Sequence, residues 1–234
     1  MSTPERSLVS QKHARLAGLC YLVTIAAGLF AEIGTRGAVI VHGDPGATTA
    51  KISANLTLYR MGEAADVAML ICYLMVTVLL YGLFREGGRQ LSAIAAMFSI
   101  TGIAILGATG IFHLAPLALL ESGLPPDERA ALIGLSLDLH GDLYGVSLVF
   151  FGIYCLLIGV LAMRSRQVPH VVAALMMVGG ACHLVTKLML IMVPEIAHAI
   201  PRFVNMMPLL GEMALAAWLT IFGVRRPIGG LNAS

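Results

Sequence analysis

Residues 141–163 read GDLYGVSLVFFGIYCLLIGVLAM, and Asp142 is the only charged side chain among them. Wound as a helix at 1.5 Å per residue, this stretch is ~34 Å long, enough to cross a hydrocarbon core of about 30 Å. Arg164 and Arg166 follow at once and hold that end at a membrane surface. So long and apolar a run is a membrane span.

Working outward, five further blocks have the same character, at about 15–33, 63–84, 91–120, 170–193 and 204–224. The third is long and carries Pro116, where a break or tilt is expected. The chain as a whole is 58% hydrophobic and 12% charged, half the roughly 25% charge of a soluble domain. Its mean hydropathy is +0.87. These features predict an all-α integral membrane bundle of six transmembrane helices forming one domain over residues 15–224. A cytoplasmic N-terminal segment, 1–14, and a cytoplasmic tail, 225–234, flank it. The apolar run after Arg15 is long and ends in Glu32, as a retained anchor does and a cleaved signal does not.

Two of the connections are long enough to hold structure. Residues 34–62 contain the turn Gly43-Asp44-Pro45-Gly46 and then a predicted short helix from about Ala47 to Arg60. Residues 121–139 open with Gly123-Leu124-Pro125-Pro126-Asp127, whose Asp127 would cap a second short helix. Basic residues set the orientation. Arg6, Lys12, Arg15, Arg85, Arg89, Arg164, Arg166, Arg225 and Arg226 share one side, opposed only by Glu5 and Glu86. Both termini and that side are therefore cytoplasmic, and the two short helices are extracytoplasmic.

Several functions are excluded at this stage. A net charge of +2 with no soluble basic run gives no footing for nucleic acid. Cys20, Cys72, Cys155 and Cys182 lie in apolar blocks without CxxC or zinc spacing, and serve as small packing residues. The chain has no HExxH, P-loop, GxSxG or GxGxxG motif.

The informative pattern is a polar stripe on each span when it is wound at 100° per residue. Gly18, Tyr21, Gly28 and Glu32 share a face of the first; Glu63, Asp66, Tyr73, Thr77 and Tyr81 share one of the second. The others contribute Ser99, Gly102, Thr109 and His113, then Asp138, Asp142, Gly145 and Gly152. Gly179, Gly180, His183 and Lys187 follow on the fifth, and Asn205 and Glu212 on the sixth. An ionisable group in lipid costs several kcal/mol, so these faces turn toward one another, and their glycines allow close approach. Most of the ionisable groups fall in the outer half. The expectation is an acid-rich polar cavity there, centred on Asp66 and Glu212, with Arg60, Lys187 and Arg202 as counter-charges. His113 and His183 complete the candidate ligand-binding set.

Two other readings compete. His113, His183, Asp138, His140 and Asp142 would hold a metal for an intramembrane hydrolase acting on lipid, or His113 and His183 a b-type haem. Donors two residues apart diverge by about 200° on a helix, which weakens the Asp138-Leu139-His140-Gly141-Asp142 run as a metal site. A lone intramembrane His more often bonds across helices, a carboxylate can simply pair, and methionines can simply pack. In that case the seam is bundle glue in a non-catalytic assembly subunit. No cofactor is expected, and the partners anticipated are the bilayer and a small-molecule, lipid or ion ligand.

One family shares many of these residues: Ala14-Arg15, Ala17-Gly18, Tyr21-Leu22, Gly43-Asp44-Pro45, Ala47-Thr48, Ile52, Arg60, Gly62, Asp66 and Leu80-Tyr81. Phe150-Phe151-Gly152, Tyr154-Cys155-Leu156, Gly159, Arg164-Ser165, Pro169, Gly211-Glu212 and Trp218-Leu219 continue the series. From about residue 14 to 224 the chain resembles a bacterial multi-helix membrane-protein family of unknown function, DUF4386. The resemblance implies a multi-pass protein of the bacterial cytoplasmic (inner) membrane and singles out Arg60, Asp66 and Glu212. It implies no activity and no catalytic residues.

Overall fold

The computed structural model describes the backbone of residues 3–197 and 199–225, and the side chains of 11–193, 195–197, 199–201 and 203–225. The charges of Glu5, Arg6, Arg202 and Arg226, with most of the segments 1–14 and 225–234, lie outside the described side chains.

In hydrocarbon, a spanning segment must satisfy its own N–H and C=O groups, and the apolar blocks therefore fold as helices. Six are long and apolar enough to cross a membrane: Gln11–Val39, Leu56–Gly87, Arg89–Leu120, Pro126–Ser165, His170–Met192 and Phe203–Ile221. They are the first to sixth spans, and no strand occurs among the described residues. Ile33, Met97, Ile111, Val171, Met192 and Phe203 are each more than 60% exposed, a surface that water would not tolerate and lipid does.

The element boundaries correct the expectation in several places. The first span does not stop at residue 33: its α-helix, Thr3–Leu29, passes into a π-helical turn, Phe30–Arg36, and a last α turn, Gly37–Val39. The first connection holds a short helix, Pro45–Ala54, started by the Asp44 carboxylate accepting from the Ala47 N–H at 2.8 Å with Pro45 in the first turn. It ends at Asn55, and residues 56–60 already belong to the second span. The second connection has no separate helix. Pro126 opens a continuous 40-residue helix to Ser165, and Asp127 lies in its first turn without capping it. At 1.5 Å per residue that helix is about 60 Å long, roughly twice the hydrocarbon thickness. The third span runs unbroken through Pro116.

Packing follows the chain. Each span lies against the next, and the sixth returns to the first, closing a ring in sequence order. The fourth and fifth spans approach closely at Gly152 and Gly180: a Cβ on Gly180 would stand 2.7 Å from the Gly152 carbonyl oxygen. Lipid offers no hydrophobic drive for helix association, so such backbone contact carries much of it.

Both described ends of the chain meet at one end of the ring. The Gln11 amide donates to the Val224 carbonyl at 2.6 Å and accepts its N–H at 3.1 Å, and the Arg225 N–H reaches the Gln167 carbonyl at 2.7 Å. Ala14, Ala17, Leu80, Phe84, Leu161 and Leu219 fill the interior there. A smaller cluster of Val39, Ile52, Tyr59, Ile133 and Leu137 seats the short helix at the opposite end.

Candidate functional site

The end opposite the termini holds a charged clasp. Arg36, at the close of the π-turn, is 4% exposed, and its Nη1 lies 2.5 Å from Asp66 Oδ2. Its Nη2 reaches Asp66 Oδ1 at 3.4 Å, and its Nε donates to Glu32 Oε2 at 2.8 Å. A guanidinium presents its donors as a rigid planar fork, so one buried cation holds two carboxylates in fixed places. The turn fits because Gly62 leaves room for the Thr35 side chain, whose hydroxyl donates to the Ala31 carbonyl. Arg36 is therefore the counter-charge of Asp66. Arg60, expected in that role, is exposed and forms no ion pair among the described residues.

Beside the clasp stand the buried polar groups of the second, third and fourth spans. The Tyr59 hydroxyl donates to the His113 carbonyl at 2.6 Å, and its ring stacks on the imidazole with centroids 4.3 Å apart. The His140 ring lies 5.4 Å from that of His113 and 6.1 Å from that of Tyr144. Glu63, one turn from Asp66, rests against Gly110.

A second tier lies deeper on the ring axis. Glu212 Oε1 accepts from the Tyr73 hydroxyl at 3.3 Å and from the Cys155 thiol at 3.4 Å. The Tyr73 ring packs on Phe151 at 4.7 Å, on Tyr21 at 5.7 Å and edge-on to Tyr154 at 6.2 Å. Beneath these aromatics, Thr77 and Ser99 share a hydrogen bond of 2.6 Å. The Glu212 face of the sixth span is bounded by Pro208, Leu215, Ala216 and Leu219, all buried, yet Glu212 itself is partly exposed. Its contacts are to the second and fourth spans across the ring. Glu212 thus points into the ring, where its carboxyl meets the tyrosine cluster.

The remaining candidates do not join either tier as a set. Lys187 is partly exposed and pairs with no described carboxylate, so the pairing with Glu212 weighed from sequence is not formed. His183 lies beside Gly152, three helical turns (~18 Å) along the fourth span from His140. His113 and His183 stand on spans that are not ring neighbours. Asp138 and Asp142 are exposed. No three His, Cys, Asp or Glu side chains converge for a metal ion among the described residues. Sequence reasoning missed Arg36 because it ended the first span too early; the Glu32–Arg36 spacing was the available signal.

The family model for a domain of unknown function, DUF4386, matches residues 16–223. No curated protein and no solved structure matches the chain.

Proposed function

The chain belongs to the DUF4386 family, and we propose that it is a bacterial inner-membrane protein that binds a small cation, or a proton in its place, at Glu212. The observation that carries this reading is the company Glu212 keeps. Its carboxyl reaches across the ring from the sixth span and is hydrogen-bonded by the neutral donors Tyr73 and Cys155 of the second and fourth. A carboxylate whose charge is spent on no described guanidinium or ammonium keeps it for a mobile cation. Asp66 differs, because Arg36 already holds it. The clasp of Glu32, Arg36 and Asp66 has two carboxylates to one guanidinium, and its residual negative charge draws cations toward that end of the ring.

The basic residues Lys12, Arg15, Arg85, Arg89, Arg164, Arg166 and Arg225 gather at the end with the termini, which supports placing that end in the cytoplasm. The Arg36 clasp then faces the periplasm, as suits a transporter or a sensor of external ions.

The test uses purified protein in liposomes and lipid nanodiscs. Proton uptake after a pH jump is followed with an external dye, and binding of sodium, potassium and tetramethylammonium by calorimetry. Wild type is expected to show a proton-uptake step or a cation-binding isotherm that Glu212→Gln lacks and Arg60→Ala keeps. If Glu212→Gln matches wild type in every arm, the reading fails. A tightly bound transition metal with lipid hydrolysis would replace it with the hydrolase. A co-purifying subunit with no uptake would replace it with the assembly role.

A further inference from the structure

A small cavity, about 10 Å³, lies between the second, third and fourth spans. Glu63, Asp66, Thr109, Gly110, His140 and Tyr144 supply its polar and backbone wall. Space of this order admits one water and nothing larger.

Two of its lining groups are left without partners. His140 is 6% exposed, and its Nδ1 lies 3.1 Å from the Thr109 carbonyl, an acceptor only. That contact requires Nδ1 to carry the proton, so in the neutral ring Nε2 has a bare lone pair. No partner reaches Nε2 among the described residues, and Glu63 Oε2 is likewise buried and unpartnered. Both atoms are therefore acceptors in want of a donor. One water, with two O–H bonds, supplies both. When the pair takes up a proton, it resides on Nε2 or on the carboxyl, and the same water links the two positions.

We propose that this cavity holds a single water bridging Glu63 and His140, and that the three form a proton-binding site separate from Glu212. Asp66 and Tyr144 line it with them; His113 stands against His140, Tyr59 against His113, and Arg36 with Glu32 behind Asp66. A proton gained here stands next to Asp66, one of the two carboxylates that Arg36 holds.

The test is nitrogen-15 NMR of histidine-labelled full-length protein in nanodiscs from about pH 4 to 9, with His140 assigned by its loss in His140→Gln. Exchange transfer from water to the His140 ring is expected in wild type. Glu63→Gln is expected to change the proton concentration at the His140 midpoint tenfold or more. Gly110→Ala removes no ionisable group, but its Cβ would stand 2.5 Å from Glu63 Oε1 and displace that carboxyl. It should therefore reproduce the change while the chain stays folded. Glu212→Gln should leave the midpoint in place, so this site and the axial one fail independently. A dry cavity, or a midpoint within about threefold of wild type in both Glu63→Gln and Gly110→Ala, overturns the proposal.

Discussion

Asp66 and Glu212 are both carboxylates turned toward the inside of the same ring, yet they are held in opposite ways. Asp66 meets a guanidinium at 2.5 Å, and that cation is almost wholly buried. Glu212 meets a phenol and a thiol at 3.3 and 3.4 Å. The first arrangement uses up the charge in fixing the first span against the second. The second positions the carboxyl without neutralising it. Carboxylates at similar radial positions can thus be bracing or binding groups, and the partner decides which.

The largest expected effect tests the bracing side. Asp66→Asn leaves the buried Arg36 guanidinium with only the largely exposed Glu32 as counter-charge and should cost about 3 kcal/mol of stability, read as a lowered unfolding midpoint in mixed micelles. A loss below about 1 kcal/mol would erase the distinction between the two acids. The double replacement Arg36→Met with Asp66→Leu removes both buried charges together and should recover most of that loss, because the one ion left behind, Glu32, is largely exposed.

The binding side predicts smaller changes. Glu212→Gln keeps an oxygen that accepts from Tyr73 and should alter stability by no more than about 1 kcal/mol while abolishing uptake. Tyr73→Phe removes one donor to Glu212 and should cost about 0.6 kcal/mol, the scale of interhelical hydrogen bonds in membranes. If Glu212→Gln proves as damaging as Asp66→Asn, Glu212 is a brace as well. The least effect belongs to Arg60→Ala, within about 0.5 kcal/mol of wild type, since Arg60 is exposed and unpaired among the described residues.

How much of this was legible in the sequence follows from the kind of signal each feature leaves. The six spans were readable because hydrocarbon imposes length and apolarity on every crossing segment. Glu212 and Asp66 were readable because ionisable groups on apolar helices must face inward. Helix ends were less so. Pro125-Pro126 reads as a break, but a proline at the first helical position starts a helix, and no stop follows until Arg166 takes a left-handed conformation. The counter-charge was misassigned because a π-turn carries the first span on to Val39 and brings Arg36 inward. No hydropathy pattern marks such a turn. The five proposed metal donors come from three helices, the third, fourth and fifth spans. The bundle brings only His113 and His140 together and leaves Asp138, Asp142 and His183 apart, because position around a closed bundle is a tertiary property.

The closed ring also has a history. Chains are made from the N-terminus, and early segments take shape first. Glu32, Arg36 and Asp66 come from the first two spans, so that clasp can latch while later helices are still on the ribosome. Glu212 arrives on the final span, which is also the stave that shuts the barrel against the first. A chain stalled before it would show the Tyr21 and Tyr73 hydroxyls to lipid through a missing wall.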